Sequence, residues 1–92
     1  MKVSVPQEVL MQDVGGESVL LNLASEQYFG LDDVGTRMWS VLVETTEVEA
    51  AYESLLSEYD VEPEKLRHDL QQLIQKLVEH GLLSVTEEQA SR

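Results

Sequence analysis

The chain has 92 residues, 42% of them apolar, no cysteine, and a formal net charge of −12 from 18 carboxylates against six Lys and Arg. That apolar fraction excludes a disordered polyelectrolyte, and the length allows one domain with one small core, burying roughly 60% of its unfolded surface. The lack of cysteine excludes a disulfide framework or thiolate metal site, while the acidic excess opposes a phosphate backbone, whose non-specific binding depends on cationic groups.

Residues 1–8 lack the apolar run of a signal peptide, and no segment approaches a membrane span, so a soluble cytoplasmic protein is expected. Residues 9–31 then read as three short strands. Val9 and Met11 share one face of the first, within residues 8–13. Gly15-Gly16 follows, a pair suited to a hairpin turn because both positions accept positive φ. The second strand, residues 18–23, carries Val19, Leu21 and Leu23 on one face at a spacing of two. Ala24-Ser25 connects it to a third strand around residues 26–31, with Phe29 and Leu31 on one face and Tyr28 and Gly30 on the other. Short connections favour antiparallel neighbours in the order first, second, third.

From residue 33 the period becomes helical. Asp32 or Asp33 is placed to cap the first helix, whose Val34, Met38, Val41 and Leu42 recur at helical spacing, with Trp39 widening the face. Thr46-Glu47-Val48-Glu49 has capping-box spacing and predicts a restart, followed by a stripe of Val48, Ala51, Tyr52, Leu55, Leu56 and Tyr59. Pro63 suits the first turn of a third helix, with Leu66, Leu70, Leu73, Ile74, Leu77 and Val78 as its stripe and Gly81 as its stop. Leu82, Leu83 and Val85 are expected to pack back on the core. Residues 1–85 make the domain and residues 86–92 a polar tail. The class is α+β, a three-stranded antiparallel sheet followed by three helices.

Chemistry-bearing residues give little. His68 and His80 lie twelve residues apart on one helix, roughly 18 Å along its axis, and cannot share a metal. Glu44, Glu47 and Glu49, and then Glu58, Asp60, Glu62 and Glu64, flank helix junctions without calcium-loop spacing. No serine sits in a nucleophile elbow, and no phosphate loop is present. No catalytic residue, metal or cofactor is expected. Geometry offers more. A meander followed by helices leaves its third strand at an edge beside a helix, where a peptide could add as a fourth strand. Tyr28, opposite the core face of that strand, either covers the sheet or flanks the newcomer. On the third helix Asp69, Gln72, Leu73 and Lys76 share one side, as a solvated shoulder or as a second wall. Two rivals stand beside this reading. A winged-helix DNA-binding regulator needs a basic recognition helix, yet Lys65, Arg67 and Lys76 are offset by Glu64, Asp69 and Glu79. A small structural subunit would oligomerise through the same edge.

The run Val19-Leu20-Leu21-Asn22-Leu23, then Tyr28-Phe29-Gly30-Leu31-Asp32-Asp33-Val34-Gly35-Thr36-Arg37-Met38-Trp39, resembles the PQQ-biosynthesis protein D family. So does the closing Asp69-Leu70-Gln71-Gln72-Leu73-Ile74 through His80-Gly81-Leu82-Leu83. Across residues 8–84 the chain looks most like the stand-alone precursor-recognition proteins of lasso-peptide biosynthesis. The resemblance implies a RiPP recognition element, a winged helix-turn-helix-like domain without catalysis of its own. It implies that the leader of a ribosomally made precursor adds as a strand beside the third strand, against the third helix. In the lasso branch the leader carries a Tyr-x-x-Pro element; a cysteine-protease-like leader peptidase and a macrocyclase then act on the precursor. Carried onto this chain, the strand-pairing residues are Gln27, Tyr28, Phe29, Gly30 and Leu31. The other wall is Leu66, Arg67, Asp69, Leu70 and Leu73. The family does not require the acidic excess, which leaves open whether the leader here is basic.

Overall fold

Strands and helices form where the sequence changes period, and two further strands tie its ends together. The computed structural model describes residues 1–86. In chain order the elements are β1 (Lys2–Ser4), β2 (Val9–Val14), β3 (Glu17–Asn22), β4 (Gln27–Leu31), α1 (Asp33–Thr45), α2 (Val48–Glu58), α3 (Pro63–Glu79) and β5 (Ser84–Thr86). The expected three-stranded antiparallel sheet is present in the order β2-β3-β4. Gly15 and Gly16 have φ of 65° and 93°, and they close the β2–β3 hairpin with Val14 opposite Glu17. Two turn residues at positive φ give the turn whose twist matches that of the flanking strands.

The ribbon of β1 and β5 was not legible in the pattern. It pairs Lys2 with Thr86 and Val3 with Val85, and three-residue strands are too short to show alternation. Thr86, expected in the tail, therefore belongs to a strand. The rest of that tail, residues 87–92, lies outside the described residues.

Val19, Leu21 and Leu23 share one face of β3 as expected, and that face is the outer one. Ser18, Leu20 and Asn22 face the core, whereas Val19 and Leu23 are exposed. Leu10, Leu21 and Tyr28 form one cross-strand row on the outer face, so this sheet is apolar on both sides and periodicity alone could not say which side is covered. The buried polar groups are satisfied: Ser18 Oγ lies 2.8 Å from Thr36 Oγ1, and Asn22 Nδ2 donates to the Gly81 carbonyl at 2.7 Å.

Asp32 caps α1, accepting from the Gly35 amide at 2.7 Å. The capping box does not form. Thr46 ends α1 in the left-handed region with φ 57°, its amide donating to the Leu42 carbonyl, and Glu47 caps α2 instead. Pro63 occupies the first turn of α3, and Gly81 at φ 71° ends it, with Leu82 N–H donating to the Leu77 carbonyl at 2.8 Å. Met38, Trp39, Val41 and Leu42 from α1 meet Ala51 and Leu55 from α2, Leu66, Leu70 and Leu77 from α3, and Leu82 and Leu83 beyond it. Each Leu, Val or Met side chain among them, fully buried, contributes about 1.5–3 kcal/mol. Among the described residues no helix is long and apolar enough to cross a membrane.

Candidate functional site: an open sheet edge beside α3

The direction of each main-chain group in the sheet follows from the first hairpin. Its two-residue turn makes Val14 and Glu17 a hydrogen-bonded pair, and Leu23 N–H donates to the Glu8 carbonyl at 2.9 Å. Odd-numbered residues of β3 thus direct their amides and carbonyls to β2. Main-chain directions alternate along an antiparallel strand, so Ser18, Leu20 and Asn22 turn theirs to β4, opposite Leu31, Phe29 and Gln27. Tyr28 and Gly30 are left, and their N–H and C=O groups point away from β3. Among the described residues no strand pairs with β4 on that side; β5, the closing strand, pairs with β1.

A helix flank borders this edge. The Phe29 ring lies 5.2 Å from that of His80 at 59°, which places the carboxyl end of α3 beside β4. Asp69, Leu73, Lys76 and His80 follow one another at three- and four-residue spacing, so they share that flank. At the other end of α3 a small pocket of about 110 Å³ is lined by Val34, Met38, Tyr59, Val61, Lys65, Leu66 and Asp69. Lys65 Nζ sits 3.2 Å from an Asp69 carboxylate oxygen on its rim. α3 thus carries an aromatic contact to β4 at its carboxyl end and an apolar hollow at its amino end.

Of the residues expected at the site, Gln27, Tyr28 and Gly30 lie exposed along β4, with Phe29 half-buried between them. Leu66, Asp69 and Leu73 lie on the bordering side of α3. Leu31 and Leu70, 5% and 1% exposed, put their side chains in the core and support the site from beneath. Arg67 does not join them. It lies on the other flank, with both guanidinium nitrogens on Glu49 at 2.6 and 3.3 Å and its guanidinium carbon 4.0 Å above the Tyr52 ring. Arg67 directly follows Leu66, and 100° of helix rotation carries it around to α2. The residues expected from the sequence do not include His80, Val34, Met38, Tyr59 and Val61, which the structure places along this flank and hollow. The 69-73-76-80 spacing held the signal for His80; the other four are brought in only by the packing of α1 and the α2–α3 connection.

Two ion pairs brace the helices away from the edge. Arg37 holds Glu58 with two hydrogen bonds of 2.8 and 2.9 Å. The hydrogen bonds from Arg67 and Arg37 hold the carboxyls of Glu49 and Glu58 below the usual range and raise the arginines in return. A larger apolar hollow of about 420 Å³ lies on the Arg67 flank, among Met1, Val48, Ile74, Val78 and Val85. Among the described residues, no group of three or more His, Asp or Glu could hold a metal ion.

Together these features define a winged-helix-like α+β domain whose sheet is open at one side of a helix. The family model for coenzyme PQQ synthesis protein D (PqqD) matches residues 17–83, and the chain belongs to that family. Two solved structures share the fold. TbiB1 in complex with the TbiA(beta) leader peptide is 33% identical, with a TM-score of 0.82 over 96% of this chain and 100% of that one. A lasso peptide synthetase B1 complexed with the leader peptide is 24% identical, with a TM-score of 0.81 over 92% of this chain and 100% of that one. No curated protein sequence matches the chain.

Proposed function

We propose that this chain is a non-catalytic, leader-binding adaptor of lasso-peptide biosynthesis. The leader of a precursor peptide adds as a fourth strand to β4, lies against α3, and is thereby presented to a leader peptidase and a macrocyclase. The observation that carries this reading is the outward set of amides and carbonyls at Tyr28 and Gly30, beside a helix flank with an apolar hollow at its far end. Support also comes from TbiB1, a 33%-identical relative whose structure holds a leader peptide.

The energetics explain why both halves are needed. Ordering a disordered leader costs on the order of 2–5 kcal/mol, while each main-chain hydrogen bond returns only about 0.5–1.5 kcal/mol net. Pairing alone leaves binding weak, so apolar side chains must be buried too, at about 1.5–3 kcal/mol each. The hollow among Val34, Met38, Tyr59 and Leu66 offers a place for one. Pairing is indifferent to sequence; the α3 flank, Leu66, Asp69, Leu73 and His80, supplies the selection.

The β2 side of the sheet is a poorer host. Five of its six residues are exposed, so a strand added there would bury little beyond backbone. A nucleic-acid reading finds no cationic face, since Lys65 and Arg67 of α3 are both held by carboxylates. The test is a fluorescence-anisotropy titration with the labelled leader of the precursor encoded beside this chain. Saturable binding is expected; none at high micromolar protein would refute the proposal.

A further inference from the structure

Asn22 is 5% exposed, a buried polar side chain on the core face of β3 where an apolar residue would ordinarily be expected. Its amide makes three hydrogen bonds. Nδ2 donates to the Gly81 carbonyl at 2.7 Å, and Oδ1 accepts from the amides of Ala24 and Ser25 at 2.9 and 3.0 Å. Its own carbonyl accepts from Glu26 N–H at 2.8 Å. One residue therefore fastens the connection that leads into β4 and joins it to the turn that ends α3. Gly81 packs directly on this side chain: its φ is 71°, and a Cβ there would meet Asn22 Nδ2 at 3.4 Å, an ordinary contact distance.

This clamp sits beside the Phe29–His80 contact, since His80 precedes Gly81 and Phe29 pairs with Leu20 of the same β3 face. Apolar packing between β4 and α3 fixes no single distance, because half-buried rings can slide over one another. A directed hydrogen bond does fix it, and unlike a larger apolar residue it does so without filling the space between strand and helix. Resting on the strand-addition reading, we infer that Asn22 is a positioning residue for peptide binding: its donation to Gly81 sets the separation of the open edge from α3 at the His80 end. It touches no part of the bound peptide itself.

The discriminating variant is Asn22→Asp. It keeps an acceptor for Ala24 and Ser25 but puts a second acceptor opposite the Gly81 carbonyl, breaking the clamp while sparing the connection. Urea unfolding and leader anisotropy are measured together at about pH 8, which keeps the introduced carboxyl ionised. A folded N22D is expected to bind the labelled leader about tenfold more weakly, as for the loss of one directed bond in a buried setting. The affinity ratio between Gly30 and Gly30→Pro forms is also expected to shrink in the N22D background, because a displaced edge makes less use of its main-chain groups. A merely structural Asn22 would lower the unfolding midpoint and leave both the leader affinity and that ratio unchanged, which overturns the inference. Should N22D not fold, Asn22→Ser carries the same expectations, its hydroxyl serving the connection but falling short of Gly81. A wild type that binds no leader removes the strand-addition reading and this inference with it. A wild type that binds, next to a folded variant that binds equally well, removes this inference alone.

Discussion

Gly30→Pro separates main-chain pairing from every other contribution to binding. The Gly30 amide points out of the sheet, by the alternation that Leu23 and Glu8 fix, so proline there removes no bond to β3. A Cβ at Gly30 meets nothing within 4 Å, and proline is tolerated on an edge strand when its nitrogen faces outward. The variant is expected to fold normally. On the bound peptide one carbonyl loses its donor, about 1 kcal/mol net, and the ring's bulk holds the adjacent pair apart for about as much again. The sum, about 2 kcal/mol, is a roughly thirtyfold weaker Kd. Met11→Pro is the matching control. Leu10, Gln12 and Val14 turn their main chain to β3, so the Met11 amide points outward on the opposite edge. Leader anisotropy with both variants, each checked by circular dichroism, gives a two-way answer. Unchanged binding by folded Gly30→Pro would refute the edge assignment; loss of binding in Met11→Pro instead would move the peptide to β2.

Other expectations concern the flanks and the core. Asp69→Ala should weaken the leader several-fold in the same titration, whereas Arg67→Ala should leave it unchanged, because Arg67 is turned to Glu49 and Tyr52. The carboxyls of Glu49 and Glu58 are held low by their arginines. Each therefore contributes stability that is present above the ordinary carboxylate pKa and lost as pH falls through the lowered folded value. Arg67→Gln should reduce the drop in urea midpoint that the wild type shows between about pH 5 and about pH 3, and an unaltered drop would count against that pairing. Leu70→Ala, at a position 1% exposed, should cost about 2–5 kcal/mol by urea unfolding, a large share of a small domain's stability. A gel mobility-shift assay with duplex DNA at low salt should show no complex, since α3 presents no cationic face.

The elements with room to show a period were legible in the chain. α1 and α3 gave theirs through Met38, Val41 and Leu42 and through Leu66, Leu70, Ile74 and Leu77, and Gly15-Gly16 announced the hairpin that orients the sheet. The β1–β5 ribbon was hidden because its strands are three residues long and meet only once the whole chain has folded. Arg67 was misplaced for a different reason. The stripe of α3 was correct, but a helix has two flanks beside its stripe, and nothing local says which of them faces β4. That choice was settled by the Phe29–His80 contact, a relation between residues that the sequence holds 51 positions apart (80 minus 29). Of the candidate site, the open position of the edge strand was therefore legible, and the flank of α3 that faces it only in part.

The β3 face shows how an apolar pattern can mislead while a polar one informs. Val19, Leu21 and Leu23 repeat at the spacing of a strand, yet they are the outer face. The inner face is Ser18, Leu20 and Asn22, with a polar residue at each end. Burying a hydroxyl and an amide is unfavourable unless each is hydrogen-bonded. Both are: Ser18 reaches α1 through Thr36, and Asn22 reaches the end of α3 through Gly81. An all-apolar inner face would satisfy the core equally well but leave β3 able to slip against the helices by small amounts. With polar ties at both ends the strand has one seat. β4 hangs from β3 by its ladder, so that seat also fixes where the outward groups of Tyr28 and Gly30 stand relative to α3. Under the proposed strand addition, a sheet that receives a partner strand at one edge has more need of such ties than one that is merely covered, because its unpaired side brings no constraint of its own.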